Sequence, residues 1–238
     1  MTPYETLPIE RLLSGNSYPG RGVFAGMTPD GTVRIAYFIM GRSANSRNRV
    51  FTRKDGEVFT EPFDPSKVED PSLIIYAAIR QYGNQLIVTN GDQTDTIYDG
   101  LAAGKTFSEA LEARCFEPDC PNFTPRISAA VRLDPTCPTY QISILKSIDE
   151  AGSDCARFTF AYPMKAGLGH LIHTYVTDGK PLPTFCGEPE RVAVEGDLDR
   201  FTQTLWNALD AENRISLYVR DVELSSGNYQ ERLINRNE

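Results

Sequence analysis

Apolar runs of strand length recur along the chain, and several alternate with polar residues at a period of two. In the segment that begins at Tyr140, for example, Tyr140, Ile142 and Ile144 share one face of an extended chain. This alternation predicts half-buried β-strands. The predicted strands are Thr32–Met40, Gln85–Thr89, Arg126–Leu133, Thr139–Ile148, Ala156–Tyr162, His170–Thr177 and Ile215–Val222. His170 and His173 are three apart in one run, so we expect them on opposite faces, one buried and one exposed.

Helices are fewer, and their ends carry recognisable signals. Asp70-Pro71 offers an N-cap and a proline at the first helical position, which predicts a helix over Asp70–Gly83. In that helix Tyr76 and Arg80 would share a face. Thr106-Phe107-Ser108-Glu109 is a capping box that opens a second helix. An apolar stripe predicts a third helix, and it consists of Leu198, Phe201, Leu205 and Leu209.

The order of these elements favours an α+β layered domain. Helices do not alternate with strands throughout the chain, as a doubly wound dinucleotide fold would require. The glycine fingerprints of dinucleotide sites, phosphate loops and nucleophile elbows are also missing from the sequence. No repeat, low-complexity segment or linker divides the chain. We therefore expect a single domain over residues 1–238.

Charge and cysteine usage narrow the class of partner. The 238 residues carry a formal net charge of −8, which disfavours general affinity for nucleic acid or an anionic membrane. No stretch approaches the roughly 20 apolar residues that span a bilayer. The five cysteines are an odd number without a CxxC pair, which favours reduced thiols and a cytoplasmic protein, with no metal site expected. These cysteines are Cys115, Cys120, Cys137, Cys155 and Cys186.

Two polar segments follow predicted strands. Residues 42–54 hold five cations and no acid, a composition that suits a phosphate group or, alternatively, a solvated basic loop. Thr89–Thr96 holds two carboxylates, two amides and three hydroxyls. Its Asn90-Gly91 pair is typical of a hairpin turn, but the polar residues continue where a second strand should begin. A binding site at the end of the strand is the other interpretation.

Glu117 and Tyr76 are further candidates for chemistry. Glu117 could act as a general acid or base, although a lone carboxylate in a loop is more often solvated. Pro125 holds Thr124 extended, and the next strand then opens at Arg126. Tyr76 is either packed in the core or paired with Arg80 as an acid–base or orienting pair.

The order and spacing of three segments resemble the archaeal-type inosine monophosphate cyclohydrolase family. The family carries an S-x-N-R-type segment, an S-N-G-x-x-T-D-T-I segment and an N-T-P-R-I segment. Here they read Ser46–Arg49, Thr89–Ile97 and Asn122–Ile127, and Tyr18–Gly22 is similar to the start of the family pattern. The likeness covers residues 18–187 and leaves 188–238 as a C-terminal elaboration. Gln93 stands where the family often has histidine, and residues 118–121 read as an insertion.

The resemblance implies a four-layer αββα sandwich of the N-terminal-nucleophile-hydrolase-like type. It implies ring closure of 5-formamidoimidazole-4-carboxamide ribonucleotide to inosine monophosphate, in purine biosynthesis, without a cofactor. The substrate would be a small nucleotide. Carried over by position, the resemblance places catalytic roles on Arg49, Tyr76 and Glu117, and Asp95 is an alternative proton acceptor. The expected substrate-binding residues are Arg21, Arg47, Asn48, Asn90, Gly91, Asp92, Thr94 and Arg126.

Two other functions fit the same residues. One is a non-catalytic module that binds a purine nucleotide with the same fold. The other is an amide hydrolase of the N-terminal-nucleophile class, which is disfavoured because position one is Met rather than Cys, Ser or Thr. The sequence leaves the oligomeric state undetermined and allows a homo-oligomer.

Overall fold

A computed structural model describes residues 4–68 and 75–237, in which strand residues outnumber helix residues. The strands are β1 (Leu7–Pro8), β2 (Arg21–Met27), β3 (Val33–Met40), β4 (Val50–Lys54), β5 (Glu57–Glu61), β6 (Tyr76–Tyr82), β7 (Gln85–Thr89), β8 (Arg126–Arg132), β9 (Thr139–Ser147), β10 (Cys155–Pro163), β11 (Leu168–His173), β12 (Glu190–Ala193), β13 (Arg214–Val222) and β14 (Tyr229–Asn235). The helices are α1 (Ile9–Leu13), α2 (Ala44–Arg47), α3 (Gln93–Ala102), α4 (Phe107–Leu111) and α5 (Leu198–Ala208), with a 3₁₀ turn at Pro65–Lys67. Among the described residues, no helix is long and apolar enough to cross a membrane.

The strands form two seven-stranded sheets, and the chain therefore has the α+β class that the sequence predicts. The first sheet has the order β1-β12-β11-β2-β3-β13-β14. The second sheet has the order β10-β9-β8-β7-β6-β5-β4. Neighbouring strands are antiparallel except for β1 and β12. The C-terminal segment supplies β12 to β14, and β13 pairs along its length with β3.

The two sheets share one apolar core. Val23, Ile35 and Ile172 of the first sheet join Val88 and Ile142 of the second sheet in a single buried cluster. Burying a side chain of this size contributes about 1.5–3 kcal/mol, so this cluster is a main source of stability. Alternate residues of the same strands point outward. Those of the first sheet pack against α1 and α5, and those of the second sheet pack against α3 and α4.

The helix predicted over Asp70–Gly83 is wrong where the structure describes it. Residues 69–74 lie outside the described residues, and Tyr76–Tyr82 forms the strand β6. The local sequence suits either element, and β6 is decided by its pairing with β5 on one side and β7 on the other. A bulge where β6 meets β5 then separates the two side chains that were expected on one face. Tyr76 joins the core between the sheets, whereas Arg80 contacts α3.

Other helix signals have mixed outcomes. The capping box at Thr106 and Glu109 is confirmed at the start of α4, and the stripe from Leu198 is confirmed as α5. The sequence did not predict α3. After β7 the chain passes through Asn90-Gly91 directly into this helix, so the simple hairpin at Asn90-Gly91 is wrong.

Both histidines are buried, which corrects the expectation that one is exposed. His170 and His173 do lie on opposite faces of β11, but the first sheet is covered on both sides. His173 bonds through Nδ1 to the carbonyl of Tyr175 at 2.7 Å. His170 faces the second sheet, where its Nδ1 lies 2.5 Å from the Tyr140 hydroxyl and its ring stacks on Tyr162 at 3.8 Å. Burial, with a smaller contribution from Arg191, lowers the pKa of His170 from 6.5 to about 4.

His170 should make stability depend on pH. Since its folded pKa lies below the unfolded value, the unfolded chain binds a proton more readily between about pH 6.5 and pH 4. The stabilisation is complete above pH 6.5 and is lost as the pH falls. His170→Asn keeps an acceptor for Tyr140 but does not titrate. When the pH falls from 7 to 4, we expect the unfolding free energy of wild type to drop by up to about 3 kcal/mol more than that of the variant. Urea unfolding at several pH values measures this, and parallel curves would contradict it.

Candidate active site

The strand order brings several predicted site residues to one end of the two sheets. Arg21 is the first residue of β2, and its partner Ile39 lies near the end of β3, which leads into the segment with Arg49. In the second sheet the end of β7 lies beside the start of β8, so that Asn90 and Arg126 are neighbours. Because β2 and β8 face each other across the core, these chain segments meet at the same place.

A buried ion pair between Arg21 and Glu117 is the centre of this site. Arg21 Nη1 and Nη2 each lie 3.0 Å from a carboxylate oxygen of Glu117. The two residues expose only 8% and 6% of their surface. Arg21 also donates to the carbonyl of Asn90 at 2.9 Å. Burial, the largest single effect, opposes the charge of Arg21, but Glu117 together with Tyr76 and Tyr37 outweighs it and raises the pKa of Arg21 well above its usual range. The guanidinium therefore stays charged and holds Glu117 in a fixed orientation.

Two tyrosine hydroxyls meet next to this ion pair. Tyr76 of the second sheet lies 2.7 Å from Tyr37 of the first sheet, oxygen to oxygen, and both rings are buried. Burial raises the pKa of Tyr37 well above its usual range, and the charges of Arg21 and Arg49 offset only part of that rise. Tyr37 is therefore a neutral phenol at ordinary pH. Tyr76 lies close enough to Arg21 for the two groups to interact electrostatically.

Arg49 adds a second buried cation to the site. It exposes 9% of its surface, and its charge acts on both Tyr37 and Tyr18. Within residues 4–68 and 75–237, its buried Nε has no hydrogen-bond partner. Ser43 and Ser46 form a capping box at α2, which fixes the turn that leads to Arg49. A buried guanidinium of this kind favours binding of an anionic group, since burying an unpaired charge is costly.

Asn90 joins the two loops that carry the site. Its Nδ2 donates to the carbonyl of Pro125 at 2.8 Å, and its Oδ1 accepts from the Ile127 amide at 2.9 Å. Gln93 also donates to that oxygen at 2.8 Å. The Asn90 side chain is completely buried by these contacts. It therefore holds the end of β7 against the start of β8.

Arg126, Asp92 and Gly91 form the next layer of the site. Arg126 Nη1 donates to Asp92 at 2.6 Å and to Gln93 at 2.8 Å, and Arg114 also contacts Asp92. Partial burial of Asp92 opposes ionisation, but the two arginines lower its pKa. A Cβ at Gly91 would lie 2.7 Å from Arg126 Nη1, so only glycine fits without moving the guanidinium.

The remaining predicted residues are bound elsewhere within the protein. Asp95 is exposed and bonds to Arg80 at 2.8 Å, on the helix-covered face of the second sheet. Arg47 donates to the carbonyl of Gly41 and to Asn213, both at 3.0 Å. Two more side chains support the backbone. Asn48 bonds both backbone polar groups of Asp64, and Thr94 bonds to Thr89 and Gly91. Their roles as substrate ligands stay predictions.

Several residues of the site carry no sequence signal that predicts a role there. Tyr37 lies in an apolar run and gave no signal beyond core packing. Asp119, two residues after Glu117, accepts from the backbone amide of Thr124 at 2.6 Å. Burial raises the pKa of Asp119, and Glu117 adds to the rise, although Thr124 and Arg21 oppose it. Thr124 in turn bonds to the hydroxyl of Tyr175.

Removing Arg21 should destabilise the protein strongly. Arg21→Gln would leave the Glu117 carboxylate buried without its guanidinium, and we expect a loss of about 3–5 kcal/mol in unfolding free energy. Arg80→Gln is the control, because the ion pairs of Arg80 are half-exposed and such pairs contribute about 0–1 kcal/mol. Glu117→Gln added to Arg21→Gln should restore part of the loss. Urea unfolding measures all four proteins, and equal losses for the two single arginine variants would contradict the expectation.

Known proteins resemble this chain over most of its length. A family model described as IMP cyclohydrolase-like protein matches residues 18–225. An IMP cyclohydrolase of Methanopyrus kandleri is 38% identical over 114 residues, which cover 47% of this chain and 57% of the relative. One of Methanothrix thermoacetophila is 36% identical over 118 residues, covering 48% and 57%. One of Methanococcus aeolicus is 28% identical over 162 residues, covering 66% and 74%. The alignments thus span little more than half the length of the first two relatives. The chain belongs to the IMP cyclohydrolase-like family.

Proposed function

We propose that the chain closes the second ring of 5-formamidoimidazole-4-carboxamide ribonucleotide to form inosine monophosphate and water. The observation that carries this proposal is the buried pair of Arg21 and Glu117 beside Tyr37, on which the charges of Arg21 and Arg49 both act and which bonds to Tyr76. The names of the relatives point to the same reaction. The substrate is then a small phosphorylated nucleotide.

We also infer a four-layer αββα sandwich of the N-terminal-nucleophile-hydrolase-like type. The support is the common core of the two sheets, together with helices on the outer face of each sheet. In this arrangement the end of the inter-sheet core, where Arg21 and Glu117 lie, is the place for the substrate.

Most of the rate gain should come from holding the two reacting groups of one molecule together. The carboxamide nitrogen attacks the formyl carbon, and both groups sit on the same imidazole ring. An active site that selects the reactive rotamer therefore replaces a search over many conformations. The buried side chains of this site suit such selection, because they have few alternative positions.

The chemistry also requires proton transfers. A C–N bond forms, two protons move from the carboxamide and formamide nitrogens to the formyl oxygen, and the C–O bond breaks to release water. We assign proton acceptance to Glu117, which Arg21 keeps oriented. Tyr76 donates to the formyl oxygen, and Arg49 stabilises the negative charge that develops there. Asp95 is less suited to proton acceptance because it is exposed and bound to Arg80.

We propose Arg126 as the ligand of the 5′-phosphate. Within the described ranges its buried Nε has no partner, and Arg114 adds a second cation nearby through Asp92. Arg21 and Arg47 are also expected to bind substrate, but they are less suited to the phosphate. Arg21 already pairs with Glu117, and Arg47 already bonds to Gly41 and Asn213.

The proposal is tested with purified protein and the formamido substrate. We expect inosine monophosphate to form well above the rate without protein, followed by ultraviolet absorbance. Glu117→Gln should lower kcat by about 10²–10⁴-fold, the usual contribution of a general acid or base. Arg49→Ala should lower kcat/KM by about 10²–10³-fold, like the loss of an oxyanion donor.

Matched variants separate the alternatives. Arg53→Ala removes a cation of the same segment that pairs with Glu231 instead, and it should leave kcat/KM unchanged. Asp95→Asn tests the other carboxylate. A large loss of kcat in Asp95→Asn with little loss in Glu117→Gln would make Asp95 the proton acceptor instead of Glu117. No turnover by wild type, with inosine monophosphate still bound in calorimetry, would instead establish a non-catalytic nucleotide-binding module.

A further inference from the structure

Tyr37 is a buried polar side chain next to the site, and the proposed mechanism gives it no role. It lies in the middle of β3, and none of its surface is exposed. Its ring packs on Phe51 at 5.3 Å between centroids, and its strand neighbours on the same face are the apolar Ile35 and Ile39. Across the described part of the chain, its hydroxyl has one hydrogen-bond partner, the hydroxyl of Tyr76.

A count of protons gives this hydrogen bond a direction. Each phenol has one proton to donate, and its oxygen can also accept. If Tyr76 donated to Tyr37, the Tyr37 proton would point into an apolar core without an acceptor, which is costly. Among the described residues the Tyr76 hydroxyl has no second partner either, but Tyr76 keeps 4% of its surface exposed whereas Tyr37 keeps none, so only the Tyr76 proton can meet a bound ligand. Tyr37 therefore donates and Tyr76 accepts. Tyr37 also keeps its proton over the ordinary pH range, because burial raises its pKa.

The same direction fixes the proton of Tyr76. Since Tyr76 accepts from Tyr37, its own proton is directed away from Tyr37, and within the described ranges it has no other protein partner, which leaves it available to a substrate. A phenol that is free to rotate would present its proton to the substrate only part of the time. The fixed donor removes this freedom before the substrate arrives.

We propose that Tyr37 is a positioning residue for ring closure, which donates a hydrogen bond to Tyr76 and so aims the Tyr76 proton at the reacting oxygen. This inference rests on the proposed function, because it acts through the role assigned to Tyr76. In this proposal a residue of the first sheet, Tyr37, orients a proton donor of the second sheet, Tyr76.

The structure offers a matched control for the loss of this hydroxyl. Tyr140 is equally buried, and its hydroxyl also bonds across the two sheets, to His170. Tyr140 lies in β9 opposite Val131 of β8, and Val131 is five residues along β8 from the site residue Arg126. Tyr140 is therefore about 16 Å from the site. Tyr140→Phe therefore removes an inter-sheet hydrogen bond of the same kind away from the reacting groups.

The test compares steady-state kinetics of Tyr37→Phe, Tyr76→Phe, the Tyr37→Phe/Tyr76→Phe double variant and Tyr140→Phe. We expect Tyr37→Phe to lower kcat about tenfold with KM changed less than about twofold. On the Tyr76→Phe background it should lower kcat no further, because its effect passes through the Tyr76 hydroxyl. Tyr140→Phe should keep the kcat of wild type.

Other kinetic results would contradict the positioning role of Tyr37. An equal fall caused by Tyr37→Phe in both backgrounds, or a fall no larger than that of Tyr140→Phe, would overturn the positioning role. If Tyr37→Phe alone does not fold, the double variant decides, since it leaves neither hydroxyl unpaired. A kcat below that of Tyr76→Phe would then overturn the proposal. Failure of the proposed function is distinct, because wild type itself would be inactive.

Discussion

The buried pair of Arg21 and Glu117 is the interaction on which the site depends. Removing two charges from water costs several kcal/mol for each ion, and apolar residues of similar volume would often serve stability as well. The pair is affordable only because the geometry is complete. Both guanidinium nitrogens reach the carboxylate, the carbonyl of Asn90 takes a further bond, and the loop of Glu117 is fixed by a 2.9 Å bond from its amide to Thr124. A pair that stability does not require points to chemistry.

The two sheets supply different parts of this chemistry. The first sheet provides Arg21 and Tyr37, and the second provides Tyr76 and the loops around Asn90. The bulge in β6 is important here, because without it Tyr76 and Arg80 would share a face of an extended strand. With it, Tyr76 reaches the core between the sheets while Arg80 is left with the helix α3.

The sequence predicted the elements whose signals are local. The alternation in β9, the capping box of α4 and the stripe of α5 each depend on neighbouring residues, and each was confirmed. The strand β6 could not be predicted in this way, because its apolar run fits a helix equally well and pairing with distant strands decides between them. Tyr37 has the same difficulty. Its position in an apolar run indicates core packing, and only the contact with Tyr76, 39 residues away along the chain, gives it another meaning.

Distant partners also decide which arginines of the basic segment, residues 42–54, are available to a ligand. Arg42 pairs with Asp178 and Arg53 with Glu231, while Arg47 bonds to backbone and amide oxygens. Among the described residues, Arg49 is the arginine of this segment that has both a buried guanidinium and a nitrogen without a partner. The segment is therefore not one phosphate-binding surface. A buried cation of this kind inside a protein of net charge −8 suits a small anionic ligand, because the acidic exterior repels larger polyanions.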